Sequence, residues 1–206
     1  MSTSTTRSRL QQKKNQRRKA RKKRAQRNLF ILLCTAAVVI ASVLGIRGGL
    51  KLSRQVKYPV QYSGYIVRYA KENDLDPYLV IAVIKQESNF VADARSPYAG
   101  GLMQLTEETA MEYAAKMGLE YYNYMDPETN IKIGCFVLRT LINRYGVVNT
   151  ALAAYNAGAG NVDKWLSDPN CSSDGITLTY IPFTETRNYV DKINYYMEEY
   201  KNHAEF

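Results

Sequence analysis

The sequence predicts a mostly α-helical, essentially all-α domain preceded by a single transmembrane helix. Three observations support this fold class: an uncharged run of eighteen residues lies near the N-terminus, helix start and stop signals recur after residue 58, and few stretches alternate as strands would. The expected organisation is a disordered basic tail over residues 1–28, a transmembrane helix over 29–46, a linker over 47–59 and one domain over 60–206.

The charge distribution separates the tail from the domain. The chain carries 28 basic and 19 acidic residues, a net charge of +9, but residues 1–27 hold twelve of the bases and no acid. Residues 58–206 hold twelve bases and all nineteen acids, so the domain has a net charge of −7. The tail has no aromatic residues, which favours a topology signal that contacts anionic lipid over nucleic-acid binding.

The apolar run over residues 29–46 reads LFILLCTAAVVIASVLGI. Its length falls in the range of about 17–25 residues that a membrane-spanning helix needs. The excess of positive charge before it places the N-terminus in the cytoplasm and everything after Arg47 outside. A cleaved signal peptide is the alternative, although the run exceeds the usual length of about 7–15 residues and no clear A-x-A site follows. The expected location is therefore the cell membrane, with a single pass.

The first helix signal of the domain is the pair Asp76-Pro77, an N-cap residue followed by proline at the first helical position. It opens the run YLVIAVIKQES, which is apolar enough to be buried on most sides. A second helix is predicted to start at Thr106, because the two glutamates that follow suit the positive end of the helix dipole, and to stop near Gly118.

Three further helices complete the predicted domain. One starts at Asp126 and stops at Gly146. Another covers residues 150–156 and is followed by a flexible AGAG segment over residues 157–160. Thr184 is predicted to cap the last helix, whose inner face consists of Tyr189, Ile193, Met197 and Tyr200.

The composition argues against several reaction classes. The single histidine, His203, lies three residues from the C-terminus, which disfavours Ser-His-Asp, Cys-His and multi-histidine metal sites. The sequence has no phosphate-binding glycine motif and no closely spaced pair of cysteines. We therefore expect no metal and no cofactor. Cys135 and Cys171 could form a disulfide outside the cell, or Cys135 could be a free thiol on a buried helix face.

Glu87 is the candidate catalytic residue on physical grounds. It follows six apolar residues and lies at the predicted C-terminal end of their helix. Apolar surroundings and the negative end of the helix dipole both disfavour the ionised form, so they raise the pKa of this carboxyl group. A carboxylic acid that stays protonated near neutral pH suits general-acid cleavage of a glycosidic bond. The alternative is a surface glutamate that pairs with Lys85 or Arg95.

Four short motifs occur in one order along the domain. They are VIKQESNF from Val83, GLMQL from Gly101, AYNAG from Ala154 and IPFTETRNYV from Ile181, with Ser96 between the first two. This pattern resembles the catalytic domain of SLT-type lytic transglycosylases, which have a goose-type-lysozyme-like fold and cleave peptidoglycan. The resemblance covers essentially the whole domain and does not extend to the tail or the predicted span.

The resemblance implies that Glu87 is the sole catalytic residue, first as acid and then as base. In the family, the tyrosine of AYNAG lies close to this glutamate and the ETRxYV motif shapes the far side of the cleft. Substrate contacts are thereby implied for Ser96, Gly101, Gln104, Tyr155, Asn156 and Tyr189. The residues alone leave other roles open: a turn at Gly101, a core position for Tyr189, and an ion pair between Glu185 and Arg187.

The resemblance also implies the reaction and its partners. Ordinary glycosidases use two carboxylates, whereas this sequence offers one in a suitable setting. The implied activity is non-hydrolytic cleavage of the β-1,4 bond between MurNAc and GlcNAc, which leaves a 1,6-anhydro-MurNAc end. The expected partners are peptidoglycan glycan strands and, through residues 29–46, the membrane; no partner in secretion or conjugation is identified.

Two departures and two alternatives accompany this assignment. The spacing from Ser96 to GLMQ is about one residue shorter than the family pattern, and Glu107 stands where the family commonly has proline. A goose-type muramidase would need an acid that positions water, with Asp93 or Glu107 as the candidates. A non-catalytic wall-binding module on the same fold is the second alternative.

Overall fold

The computed structural model describes residues 22–23, 38–46 and 58–204. The chain divides into two compact units, Met1–Ser53 and Arg54–Phe206. In the first unit, residues 22–23 and 38–46 are helical, and the Ser42 hydroxyl donates to the Val38 carbonyl oxygen over 2.9 Å. In the described ranges, no helix combines the length and the apolar character that a bilayer crossing requires.

The predicted tail, span and linker lie largely outside the described residues. Residues 22–23 of the tail, 38–46 of the predicted span and 58–59 of the linker are described. All nine residues from 38 to 46 are exposed.

Seven helices and one hairpin form the described part of the second unit. The helices are α1 (Ser63–Glu72), α2 (Pro77–Ser88), α3 (Glu107–Lys116), α4 (Pro127–Tyr145), α5 (Val148–Ala157), α6 (Ala159–Leu166) and α7 (Thr184–His203). The strands β1 (Ala99–Gly100) and β2 (Leu105–Thr106) are antiparallel, and Ala99 lies opposite Thr106. The prediction of a mostly α-helical domain is confirmed.

The helix that carries Glu87 is anchored by its apolar run. All residues from Leu79 to Ile84 are buried, and α2 packs against α1 and α7. Each large aliphatic side chain of this kind contributes about 1.5–3 kcal/mol when fully buried. Helix α7 also packs against α5, which in turn contacts α4 and α6. Helix α7 therefore packs against both α2 and α5, and the three helices belong to one core.

Three of the predicted helix starts are confirmed in atomic detail. The side chains of Asp76, Thr106 and Asp126 each accept a backbone N–H from the first turn of their helix, at 2.9, 3.0 and 3.0 Å. A cap of this type contributes about 1 kcal/mol to stability. Helix α4 ends at Gly146, whose φ of 71° lies in the left-handed region that glycine adopts without strain.

Other local predictions were incomplete or wrong. Helix α1 was not predicted, because its N-cap residue, Tyr62, provides no side-chain cap. The segment over residues 157–160 is not a flexible loop: Gly158 separates α5 from α6, and Gly160 lies in the first turn of α6. Thr184 is the first residue of α7 and not its cap, since Phe183 is the N-cap residue and makes no capping hydrogen bond.

The inner face of α7 largely follows the predicted spacing. Tyr189, Ile193 and Tyr200 are buried, while Met197 is only partly buried against the core. Thr186 and Val190 add to the buried face. The face therefore runs along the helix from its first turn to its last.

The two cysteines of the domain are free thiols. Cys135 lies in α4 and Cys171 lies in the segment between α6 and α7, and both are buried. Burial raises the pKa of both thiols, so both are neutral at physiological pH. The sequence left open a disulfide or a free thiol, and in the structure both cysteines are free thiols.

Candidate active site

Glu87 lies one residue before the C-terminal end of α2 and is partly buried. The Tyr189 hydroxyl donates to its Oε1 atom over 2.6 Å, from a position 102 residues further along the chain. Burial raises the pKa of Glu87 from 4.5 to about 7, the nearby Glu185 charge adds to this rise, and the Tyr189 hydrogen bond opposes it. The predicted rise in the pKa of Glu87 is confirmed.

A cavity of about 250 Å³ opens beside this carboxyl group. Its lining is polar and charged, and it comes from the ends of α2 and α5 and from one face of α7. The lining residues are Gln86, Glu87, Asn156, Glu185, Asn188, Tyr189 and Lys192. A protonated carboxylic acid beside a water-accessible polar cavity is a suitable arrangement for transferring a proton to a bound ligand.

Neither Lys85 nor Arg95 pairs with Glu87. The Lys85 ammonium group donates to the Asn89 side chain over 2.5 Å and lies near the ring of Tyr196. The structure therefore contradicts the alternative in which Glu87 is a surface glutamate paired with one of these two cations.

A second cavity of about 220 Å³ is lined by residues from the neighbouring motifs, including Gln104, Thr106, Glu112 and Tyr155. Consecutive residues of α5 connect the two cavities, because Tyr155 lines this one and Asn156 lines the cavity of Glu87. The two cavities thus lie on either side of the last turn of α5.

The resemblance predicts that Tyr155 lies close to Glu87, whereas the structure gives the direct contact with the carboxyl group to Tyr189. Tyr155 donates its hydroxyl to the Met103 carbonyl oxygen over 2.9 Å, whereas Tyr189 donates to Glu87 itself. Burial raises the pKa of Tyr155, and the nearby charge of Glu87 adds to this rise, so the two groups interact electrostatically. The direct partner of the carboxyl group is therefore the tyrosine of the ETRNYV motif.

Asn156 is held by the first turn of α7. The Thr186 hydroxyl donates to the Asn156 side-chain oxygen over 2.7 Å, and Thr186 is almost fully buried. The amide oxygen is thus satisfied inside the protein. The Asn156 amide nitrogen remains as a donor for the cavity.

Gly101 begins the GLMQ loop in a conformation that other residues rarely adopt. Its φ is +79°, and a Cβ atom built on it would lie 2.2 Å from the Asn130 side-chain nitrogen. Asn130 is fully buried; its side-chain nitrogen donates to the Gly100 and Tyr124 carbonyl oxygens, and its oxygen accepts from the Met103 N–H over 2.7 Å. A left-handed backbone and this close approach together require glycine.

Gln104 lies at the end of the same loop, and its side chain hydrogen-bonds to the loop backbone. Its φ is 45°, and its side-chain nitrogen lies 3.1 Å from the Ala94 carbonyl oxygen and 2.9 Å from that of Gly101. The Ser88 hydroxyl, next to Glu87, lies 2.8 Å from the Leu102 carbonyl oxygen. The Ser88 bond joins the GLMQ loop to the end of α2, and the Gln104 bond to Ala94 joins the loop to the segment that follows α2.

Ser96 is exposed and closes a turn. Its hydroxyl oxygen accepts the Ala99 N–H over 3.0 Å and lies 3.4 Å from the Tyr98 nitrogen. It lines neither of the two cavities. The structure therefore brings Glu87, Asn156 and Tyr189 to one cavity, places Gln104 and Tyr155 at the next, and leaves Ser96 on a surface turn.

The acids around the site differ from the expected ones. Asp93 and Glu107 are exposed and line neither cavity, whereas Glu185 lines the cavity of Glu87. No ion pair joins Glu185 to Arg187 among the described residues, because Arg187 donates to the Ile181 carbonyl oxygen over 2.7 Å and to the Thr184 hydroxyl. The carboxylate of Glu185 is thus available to a ligand in the cavity.

Sequence reasoning missed four side chains that build the site. Asn188 and Lys192 share the α7 face with Glu185 and Tyr189, a spacing of three and seven residues that could have identified them. Gln86 precedes Glu87 and lines the same cavity. Asn130 gave no such signal, because nothing local indicates that a mid-helix asparagine will meet the GLMQ loop.

Comparison with known proteins agrees with this architecture. A family model of the transglycosylase SLT domain matches residues 64–174. The chain is 33% identical over 153 residues to the soluble lytic murein transglycosylase of Salmonella typhimurium, which covers 71% of this chain and 24% of that protein. It is 31% identical over 172 residues to the membrane-bound lytic murein transglycosylase C of Sodalis glossinidius, with 68% of this chain and 47% of the relative covered.

Solved structures show the same fold. The 70 kDa soluble lytic transglycosylase of Escherichia coli superposes with a TM-score of 0.63 at 30% identity, over 72% of this chain and 25% of that one. An inactive mutant of the lytic transglycosylase Slt from Pseudomonas aeruginosa gives a TM-score of 0.62 at 32% identity, over 72% and 25% of the two chains. The chain thus spans about a quarter of the length of these larger relatives.

Proposed function

Because the chain belongs to the transglycosylase SLT family, we propose that it is a peptidoglycan lytic transglycosylase that cleaves the β-1,4 bond between MurNAc and GlcNAc without water. The observation that carries this proposal is the Glu87 carboxyl group, which has a pKa of about 7 and faces a polar cavity while Tyr189 holds it. A group with this pKa is protonated in an appreciable fraction of molecules at neutral pH and readily exchanges its proton.

In the first step, protonated Glu87 donates its proton to the glycosidic oxygen. The bond between C1 of MurNAc and that oxygen breaks, and GlcNAc leaves as an alcohol. The carbonyl oxygen of the 2-acetamido group of MurNAc bonds to C1, and the positive charge passes to the resulting oxazolinium ring. Glu87 becomes a carboxylate at this point, and the Tyr189 hydrogen bond stabilises that form.

In the second step, the Glu87 carboxylate acts as the base. It takes the proton from the C6 hydroxyl of the same sugar, O6 bonds to C1, and the acetamido oxygen is released. Glu87 regains its proton and the product is a 1,6-anhydro-MurNAc end. No water enters the reaction, so a single carboxyl group suffices for both proton transfers.

The remaining residues have binding or supporting roles in this proposal. Tyr189 orients the carboxyl group, and Asn156 offers its amide nitrogen to the sugar in the same cavity. Gln104 and Tyr155 border the neighbouring cavity, which extends the groove for the glycan strand. Gly101 shapes the loop that carries Gln104, and Ser96 contacts the strand from the surface turn.

A hydrolytic muramidase is the second candidate, and Glu185 is the observation that favours it. This carboxylate lines the cavity of Glu87 and could position a water molecule. The hydrolytic product carries a reducing MurNAc end. It is heavier than the anhydro product by one water molecule, which is about 18 Da.

Product analysis tests the proposal. Purified full-length chain in mild detergent is incubated with peptidoglycan sacculi, and the soluble fragments are measured by mass spectrometry. We expect 1,6-anhydro-MurNAc ends. Reducing ends with added water would assign the muramidase reaction instead, and intact sacculi without fragments would leave only a wall-binding module.

We further propose that residues 29–46 anchor the chain in the membrane, with the N-terminus in the cytoplasm and the domain outside. The support is the uncharged run of eighteen residues after twelve basic ones. The test is the membrane fraction of cells that express the full chain, followed by protease treatment of intact spheroplasts. We expect an intact chain in the membrane whose domain is digested from outside; a soluble chain shortened at its N-terminus would indicate a cleaved signal peptide.

A further inference from the structure

Lys192 places a cation in the catalytic cavity. It lines the same cavity as Glu87, and its side chain is exposed to solvent. It makes no hydrogen bond, ion pair or ring contact with any residue in the part of the chain that the structure describes. Some other cations of the domain are paired with acids, as Lys116 is with Glu112 and Lys201 with Asp76. Lys192 is thus available to a ligand.

The position of Lys192 relates it directly to the catalytic carboxyl group. Glu185, Tyr189 and Lys192 are spaced by four and seven residues, so they share one face of α7. At a rise of about 1.5 Å per residue, Lys192 lies about 4.5 Å along the helix axis beyond Tyr189 and about 10 Å beyond Glu185. The cavity therefore has an anionic end at Glu185, the reacting carboxyl group between, and a cationic end at Lys192.

This polarity matters because the domain as a whole is acidic. Residues 58–206 carry a net charge of −7, which disfavours any anionic ligand. Lys192 is the single cation among the described residues that line the cavity of Glu87. An anionic group bound in this cavity would therefore be favoured at the Lys192 end and repelled at the Glu185 end.

The substrate of the proposed reaction carries such a group next to the scissile bond. The muramyl sugar bears a lactyl ether whose carboxyl group is either free or joined to a stem peptide with carboxylates of its own. We propose that Lys192 is a specificity-determining residue that binds a carboxylate carried on the lactyl substituent of the muramyl sugar. This inference rests on the proposed function and names the part of the substrate that this end of the cavity selects.

The experiment compares KM and kcat of the full-length chain and its Lys192→Gln variant on three soluble glycan strands. The first has stem peptides with free carboxylates, the second has the same peptides with the carboxylates amidated, and the third has no peptides and a free lactyl carboxylate. We expect Lys192→Gln to raise KM about five-fold on a carboxylated strand with little change in kcat, as for one partly exposed ion pair. On the amidated strand, KM should change by less than about two-fold.

Two further variants serve as controls. Lys164→Gln removes one positive charge from an exposed lysine in α6 that lines neither cavity, so its KM should equal that of the unmodified chain on all strands. Lys192→Arg keeps the charge, so its KM on carboxylated strands should stay close to that of the unmodified chain. Added salt should raise KM of the unmodified chain on carboxylated strands more than it does for Lys192→Gln.

The outcomes separate the source of the carboxylate and the two proposals. An effect on the first strand alone assigns the peptide carboxylate, and an effect on the third alone assigns the lactyl carboxylate. An unchanged KM on all strands, or an equal rise on amidated and carboxylated strands, overturns the inference while anhydro products from the unmodified chain uphold the proposed function. Unmodified chain that yields no anhydro product removes the proposed function, and the inference with it.

Discussion

The cavity of Glu87 and the GLMQ loop both contain motif residues, yet the polar groups of the two regions are used in opposite ways. At the loop, the side chains of Gln104 and of Asn130 from α4 are bonded to backbone groups of the protein itself. In the cavity, Glu185 and Lys192 make no hydrogen bond with any described residue and are left for a ligand. The polar side chains of the two regions therefore divide into a scaffold that holds the site and groups that are available to the substrate.

This comparison predicts that substitutions in the cavity change activity with little loss of stability, whereas substitutions in the loop change stability first. The sharpest tests pair one residue of each region with a matched control elsewhere in the chain.

Glu87→Gln should have the largest effect on activity, a loss of about 10³-fold or more, because the amide can neither donate nor take up the proton. The measurement is release of anhydro-muropeptides by the full-length chain, with Glu198→Gln, an exposed glutamate of α7, as the control. If Glu87→Gln kept the activity of the unmodified chain, Glu87 would have no catalytic role.

The same variant tests the cost of burying this carboxyl group. The pKa of Glu87 is raised from 4.5 to about 7 on folding, so its contribution to stability is fully present below pH 4.5 and is lost as the pH rises through 7. Above pH 8, Glu87→Gln should therefore be the more stable protein, by up to about 3 kcal/mol. Urea unfolding at pH 5 and pH 8 measures this; a difference that does not grow with pH would contradict the burial of the charge.

Gly101→Ala should have the largest effect on stability, a loss of about 2–5 kcal/mol, from the left-handed φ and the clash with Asn130. The free energy of unfolding in urea gives the value. Gly160→Ala is the control, because Gly160 lies in α6 with open space around it and alanine there should be neutral or stabilising. Equal stability of the two variants would show that the loop does not depend on Asn130.

Tyr189→Phe should lower kcat by roughly ten-fold, since the carboxyl group loses the hydrogen bond that orients it. That bond favours the ionised form of Glu87, so its removal should also raise the pKa of Glu87 and move the alkaline limb of the pH–kcat profile to higher pH. Tyr195→Phe, at an exposed tyrosine of the same helix, is the control. A lower kcat without this shift would assign Tyr189 to packing alone.

Glu185→Gln should have the smallest effect, a change of a few-fold in kcat at neutral pH, because it removes only a neighbouring charge. The Glu185 carboxylate raises the pKa of Glu87, so the variant should move the alkaline limb to lower pH, opposite to Tyr189→Phe. Loss of all activity would instead favour the hydrolytic reaction, in which Glu185 is essential.

Local signals predicted those parts of the fold that a few neighbouring residues decide. Asp76, Thr106 and Asp126 cap their helices because each cap needs only the next turn of chain. Helix α1 has no such local signal, because its start has no side-chain cap and its support comes from packing against α4. The sequence therefore did not predict it. The sequence predicts a flexible loop at the start of α6, because glycine and alanine alone do not distinguish a loop from a first turn.

For the site, the sequence by itself determined which carboxyl group is unusual. Glu87 follows a buried apolar run, and burial is the main cause of its raised pKa. Only the tertiary structure decided its surroundings: Tyr189 in place of Tyr155 as its partner, Glu185 in place of Asp93 or Glu107 as the nearby acid, and Lys192 at the far end of the cavity. The apolar run of α2 predicts that Glu87 will be desolvated, whereas contacts between residues a hundred positions apart depend on how α2, α5 and α7 pack.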